Sequence, residues 1–255
     1  MSAGQWVEDP KMVKKEVVTY FSKMFQEESW NRPKLHIGFK RISKEQKEWL
    51  ERPFTVEEIQ EGLQSCEGSK APGPNKYNFN LFKFMWNSVK EDFVDFFREF
   101  HQNSKLVRGL NSSFLALIPK KLSPKELTDF RPISLLRCVY KLLAKVLANR
   151  LKMVMSAIIS ETQSAFVGGR QLVGSVLTLN EVVDEVQNRK KPAFVFKADF
   201  QKAYDCVNWS YLAWMMESFT FRTKWRGWIR ECLSTARVSV LVNGSPTKEF
   251  VMKKA

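Results

Sequence analysis

The sequence predicts an α+β fold. Apolar residues recur at helical spacing in several long stretches, separated by short extended runs at Phe114–Ile118, Phe194–Asp199 and Val238–Val242. The two kinds of segment do not alternate strictly, which argues against a parallel doubly wound sheet. At 255 residues, 44% apolar and 13% aromatic, the chain can build a substantial core, and a chain disordered throughout is excluded.

Each element has its own signal. Val13, Val17, Phe21, Met24 and Phe25 mark an amphipathic helix over 10–28. The segment 29–53 is mixed and polar, with Pro33 and Pro53, and reads as a connector. Thr55 and Glu58 form a capping-box pattern ahead of Ile59 and Leu63, so a short helix is expected to reach about Cys66. Gly68 to Lys76 carries two prolines among its glycines and predicts an exposed loop. Phe82, Met85, Trp86, Val89, Phe93, Phe96, Phe97 and Phe100 predict one long helix with a core-facing aromatic stripe. Phe114–Ile118 reads as a strand stopped by Pro119. Helices follow over 135–155, 171–188, 203–218 and 223–234, with a strand at 194–199 delivering Asp199 at its end. Val238–Val242, then Asn243-Gly244, then a second extended run predict a β-hairpin.

Charge and motif content narrow the function. There are 41 Lys+Arg against 27 Asp+Glu, a net +14, which favours a polyanionic partner: nucleic acid or an anionic membrane surface. No apolar run approaches the length of a membrane span, and the start Met1-Ser-Ala-Gly-Gln-Trp6 has no apolar signal segment, so no membrane partner and an intracellular location, nuclear or cytoplasmic, are expected. Cys66, Cys138, Cys206 and Cys232 are scattered without a C-x-x-C, consistent with a reduced compartment and no disulfide partner. Only two histidines and no G-x-S-x-G or P-loop signature leave hydrolase triads and P-loop chemistry without their anchors. The charge is uneven. Between Lys105 and Lys152 eleven basic residues face only Glu126 and Asp129, so this segment holds +9 of the +14. Two readings stand for it: a solvated basic surface, or a groove that neutralises phosphates.

Phe196-Lys-Ala-Asp-Phe-Gln-Lys-Ala-Tyr-Asp-Cys-Val-Asn-Trp209 places a carboxylate, Asp199, where an apolar strand gives way to a helix. A rigidly held carboxylate suits Mg²⁺, and phosphoryl transfer often uses two such ions about 4 Å apart. The competing reading is a helix cap.

Seven segments carry a resemblance. They are Lys70–Pro74, Ala116–Lys120, Asp129–Leu135, Tyr140–Leu151, Gln163–Arg170, Phe196–Trp209 and Ser239–Pro246. In this order and spacing they resemble the reverse transcriptase region of LINE-type (non-LTR) retrotransposons, most closely those of plants, over nearly the whole chain. The resemblance implies a right-hand polymerase fold, with fingers and part of the palm present. It divides the chain into an N-terminal helix and connector over 1–53 and a partial reverse transcriptase domain over 54–255.

It also implies roles. Asp199 resembles the first catalytic aspartate, a ligand of Mg²⁺. Tyr204 resembles the ring that packs on the incoming sugar and selects deoxynucleotides. Lys120 and Arg131 resemble fingers residues that meet the triphosphate, where their charge would offset phosphate charge as it redistributes. Arg170 resembles a template contact, and Lys141, Lys145 and Arg150 fall in the basic region assigned to nucleic acid. The implied partners are an RNA template, a DNA primer and deoxynucleoside triphosphates. Two departures stand out. The family loop Pro-Gly-Pro-Asp-Gly here ends in Asn75-Lys76, so its turn geometry is in question. The 255 residues contain no Asp-Asp pair, no Gly-Asp-Pro and no Asp after Asp205. The expectation is a polymerase cut short before its second and third metal-binding carboxylates and inactive by itself; the alternative is a non-catalytic nucleic-acid-binding remnant using residues 105–152.

Overall fold

The structure, a computed structural model, describes residues 7–27, 33–34, 37–190, 192–198 and 207–254. Helix α1 spans Pro10–Met24, started by the Asp9 carboxylate accepting from Met12 N–H at 2.9 Å. Where the sequence suggests a connector, α2 forms over Lys44–Glu51. Its cause is a capping box: Ser43 accepts from Gln46 N–H and the Gln46 side chain accepts from Ser43 N–H. Helix α3, Val56–Gln64, is capped by Thr55 as the sequence predicts. The expected long aromatic helix is two helices, α4 (Phe79–Phe84) and α5 (Trp86–Asn103), broken at Met85. The break lets Phe79 and Trp86 both enter the core.

Strand β1 (Ser112–Pro119) pairs antiparallel with β2 (Phe130–Leu135). Next come α6 (Cys138–Ile158), α7 (Leu172–Asn188), α8 (Trp209–Ser218) and α9 (Thr223–Ser234). Strand β3 (Arg237–Val242) then runs parallel to β1 and pairs with the short strands β4 (Ser245–Pro246) and β5 (Phe250–Val251). The sheet order is β2-β1-β3-β4. The predicted hairpin is present, and Asn243 and Gly244 take the positive φ values of 50° and 76° that its two-residue turn demands. No strand is obvious in 130–135 because Pro132 interrupts it. β2 tolerates Pro132 because it is the sheet's edge, where a missing N–H leaves no ladder bond unmade on the outer side.

Two apolar clusters hold the chain. The larger joins α2, α3, α5, α6 and α9 through Leu50, Leu63, Phe97, Leu143, Val146 and Trp228, all with at most 1% exposure. Ile42 and Leu50 belong to it, so residues on both sides of position 53 share one core. The smaller packs Val17 and Phe21 of α1, with Phe25, on Leu115, Val238 and Val240 of the sheet. Polar bonds brace α9 against α6 and against the chain entering β1. Asn111, just before β1, donates to the Cys232 carbonyl at 2.6 Å, and Tyr140 of α6 donates to the same carbonyl at 3.0 Å. The Glu231 carboxylate accepts from Leu106 N–H at 3.0 Å.

The expected strand at 194–199 is not found over its described part, 194–198. Phe194, Val195 and Phe196 are fully or largely exposed, and no described strand supplies their backbone with a ladder. Asp199 lies outside the described residues.

Candidate nucleotide and nucleic-acid interface

The β1–β2 ribbon projects a charged end. Register pairs Ile118 with Arg131 and Pro119 with Phe130. Because side chains alternate between faces, Lys120 lies on the same face as Ile118 and Arg131, while Leu115 and Leu117 point to the α1 side. The Lys120 backbone N–H donates to the Asp129 carbonyl at 2.7 Å, which extends the ladder by one rung and fixes that placement. Its ammonium donates to the Thr128 carbonyl at 2.6 Å. The Arg131 side chain is exposed and, among the described residues, makes no hydrogen bond or ion pair. The face also carries exposed Ile118 and Ile133. The connecting turn is braced by Asp129, which accepts from the backbone N–H groups of Lys125 and Glu126 and pairs with Lys121 at 2.9 Å. The Lys121 hydrogen bond, then those backbone donors, hold the Asp129 carboxyl down to about 2.

A second basic surface forms where α6 begins. Lys141 and Lys145 sit one turn apart on α6, and among the described residues neither ammonium makes a hydrogen bond or ion pair. Lys83 of α4 and Lys70 of the 68–76 loop join them: all four ammonium groups act on the Cys66 thiol, whose pKa burial nevertheless raises. Lys70 pairs with Glu67 at 3.0 Å, and Lys83 donates to the carbonyls of Gln64 and Cys66. The loop is seated on the chain entering α6. A side chain at Gly73 would meet the Leu136 carbonyl oxygen at 2.3 Å, so only glycine fits there. The Cys138 thiol donates to the Tyr77 carbonyl at 3.0 Å. The turn keeps its left-handed step without a glycine: Lys76 itself takes φ 61°.

The comparisons with known proteins decide the family. The model described as reverse transcriptase (RNA-dependent DNA polymerase) matches residues 118–254, more than half of the chain. The chain belongs to that family. The reverse transcriptase match begins at Ile118, inside the ribbon that carries Lys120 and Arg131. The chain is also 26% identical over 253 residues to the transposon TX1 uncharacterized 149 kDa protein of Xenopus laevis, covering 96% of this chain and 19% of that protein. It is 25% identical over 158 residues to the retrovirus-related Pol polyprotein from type-1 retrotransposable element R2 of Nasonia vitripennis, covering 62% of this chain and 15% of that protein. It thus spans less than a fifth of each relative's length.

In this reverse transcriptase chain the predicted site residues fall into three groups. Lys120, Arg131, Lys141 and Lys145 lie on the surface or at its edge, as a phosphate contact requires. Two arginines are engaged elsewhere. Arg150 is fully buried and is removed from any surface that meets nucleic acid. Its guanidinium donates to Glu58 at 2.7 and 2.8 Å and to the carbonyls of Leu50, Arg52 and Pro53 at 2.8, 2.6 and 3.0 Å, lying 4.0 Å over the Phe54 ring. The sequence held the signal, since position 150 follows Val146 by four residues on the buried stripe of α6. Arg170 is half-buried and donates to the carbonyls of Ser160, Gln163 and Ile159, closing the loop after α6. Asp199 and Tyr204 form the third group and lie outside the described residues. Among the described residues no group of three or more His, Cys, Asp or Glu side chains could hold a metal ion. Sequence reasoning missed Lys70, Lys83, Gly73 and Lys76 as site residues; of these, Lys70, Gly73 and Lys76 stand in the 68–76 loop it had already singled out, and only Lys83 does not. Among the described residues no helix is long and apolar enough to cross a membrane.

Proposed function

We propose that these 255 residues are fingers and the first part of the palm of the reverse transcriptase of a non-LTR, LINE-type retrotransposon of the plant kind, working inside the cell on an RNA template, a DNA primer and deoxynucleoside triphosphates. The observation that carries the reading is the ribbon register, which sets Lys120 and Arg131 on one face at its open end, within the family match. Two cations on one face suit a triphosphate, whose charge they would neutralise and from which they would assist the departure of pyrophosphate. The Arg131 side chain has no competing partner among the described residues, and Lys120 would exchange one carbonyl contact for a phosphate oxygen. Asp199 is assigned to Mg²⁺ and Tyr204 to the incoming sugar by motif resemblance. The names of the two relatives, a transposon protein and a retrotransposable-element polyprotein, support the lineage.

The nucleic acid would run from the ribbon to the lysine face of α6, and Lys141 and Lys145 would neutralise its phosphates. These residues alone contain one of the three carboxylates that two-metal nucleotidyl transfer uses, so alone they are proposed to bind rather than extend. A second reading, a non-catalytic nucleic-acid-binding remnant, is favoured by Arg108, Lys125, Lys141, Lys145 and Lys152, whose side chains form no ion pair among the described residues.

Template-dependent primer extension with Mg²⁺ separates the readings. A polymerase containing this segment together with the Asp-Asp turn should extend a primer on RNA, lose extension with Asp199→Ala, and show a raised KM for deoxynucleotides with Arg131→Ala. Absence of extension, with RNA binding intact, would leave the binding remnant. Extension by the 255 residues alone would overturn the proposed inactivity.

A further inference from the structure

The α8–α9 hairpin holds a cavity of about 490 Å³ that shares no lining residue with the 105–152 segment. Helical spacing builds it. Trp209, Ala213 and Met216 on α8, and Arg226, Arg230 and Leu233 on α9, recur every three to four residues and face one another across it. The opposite stripe of α9, with Trp225, Trp228 and Cys232, is buried in the core, so the arginine stripe is held rigidly outward.

The walls combine rings and donors. Trp209 and Trp214 present indoles. Glu217 holds Arg226 by an ion pair at 3.1 Å. The Arg226 Nε and the Trp209 Nε1 are nevertheless buried donors with no acceptor among the described residues. Arg230 is exposed and makes no ion pair or side-chain hydrogen bond among the described residues. Lys34 and Glu27 complete the rim, and a Glu27 oxygen accepts from Asn208 Nδ2. Three cations against two carboxylates leave the cavity positive.

Rings beside guanidinium groups stack a nucleobase, and unpaired N–H donors call for anionic or carbonyl oxygens. The volume falls within the range of pockets that enclose a small molecule, about 300–1,000 Å³. We propose that this cavity takes one nucleotide of single-stranded RNA, its base against an indole and its phosphate at Arg230, as a second nucleic-acid site apart from the ribbon. The proposal rests on the reverse transcriptase reading only for the identity of the polymer.

The test uses the full chain with a fluorescent oligouridine and, in parallel, the same oligonucleotide carrying 5-iodouridine for photo-crosslinking and peptide mapping. Arg230→Gln should weaken binding about fivefold and lower the salt dependence by about 0.7 on the logarithmic scale, the share of one phosphate in a single strand. Crosslinks should fall on Trp209 or Trp214, and Trp214→Leu should abolish those at position 214 while far-ultraviolet circular dichroism stays unchanged. The variant Lys141→Gln/Lys145→Gln should weaken overall binding and leave these crosslinks in place. If Arg230→Gln changes nothing and all crosslinks fall within 105–152, the cavity proposal fails while the fingers reading survives. If the lysine variant changes nothing and crosslinks persist at Trp209 or Trp214, the fingers surface fails instead. Displacement of the RNA by oligoglutamate through Arg230, without aromatic crosslinks, would overturn the proposal in favour of an acidic protein partner.

Discussion

The helical core and the arm formed by α7 and residues 192–198 are built from similarly apolar sequence and end in opposite states. In the core, Ile59, Leu63, Phe97, Leu142, Leu143, Val146 and Trp228 are completely buried. On α7, Val173, Val176, Leu177, Leu179 and Val182 are each about half exposed or more, and Phe194 and Phe196 beyond it stand almost wholly in solvent. The difference is not propensity, since both regions are helical where the pattern predicts helix. It is the supply of partners. Helix α6 is covered by α2 and α3 and is pinned by Arg150, whereas no described element packs extensively on α7. An apolar pattern states what a segment needs to bury, and only tertiary structure states whether the need is met.

Breaking the core should have the largest effect. Arg150→Ala would strand Glu58 and three backbone carbonyls, and a loss of about 3–5 kcal/mol is expected from urea unfolding, enough to unfold a marginal chain. Leu143→Ala follows at about 2–5 kcal/mol. The matching changes on the arm, Val176→Ala or Leu177→Ser, should move stability by less than about 0.5 kcal/mol while improving solubility. If Leu177→Ser costs as much as Leu143→Ala, the contrast between the regions fails.

A smaller effect sharpens it. Lys76 pays for a left-handed conformation that glycine adopts freely, so Lys76→Gly should stabilise the chain by about 0.5–1 kcal/mol. The smallest effect is local and depends on pH. Asp129 titrates near 2 when folded, against an ordinary 3.8, so its contribution is complete above the ordinary value and is lost as pH falls from about 4 to about 2. The protection of the Lys125 and Glu126 amides, taken relative to an unstructured peptide at the same pH, should fall across that window, and Asp129→Asn should abolish that pH dependence.

Much of this was legible in the sequence. The α6 stripe from Val139 onward, the Thr55 cap and the Asn243-Gly244 turn are local patterns with local causes and appear where they were read, whereas Leu135, read as the first turn of that helix, closes strand β2 and the helix starts at Cys138. The Ser43–Gln46 capping box was equally local and was hidden only by its polar surroundings. Strand β2 could not be read, because Pro132 is acceptable only at a sheet edge and edge position is a tertiary fact. Arg150 shows the same limit from the other side. A cation within a basic run reads as surface until Glu58 and the carbonyls of residues 50–53, far off in sequence, are brought to it. For the phosphate-facing residues, the alternation that unites Lys120 with Arg131 became available once β2 was known to pair with β1.

The parallel pairing of β1 with β3 carries a consequence for the order of events during synthesis. Ser112–Leu115 must wait for Arg237–Val240, and the carbonyl of Phe25 must wait for the amides of Lys253 and Lys254, which reach it at 2.9 and 3.2 Å. The β1–β2 ribbon can close as soon as it leaves the ribosome, because its partners are neighbours. Helix α1, made before any strand of the sheet, has no finished sheet to lie on until nearly all of these residues have emerged, and it is exposed to chaperones throughout that interval.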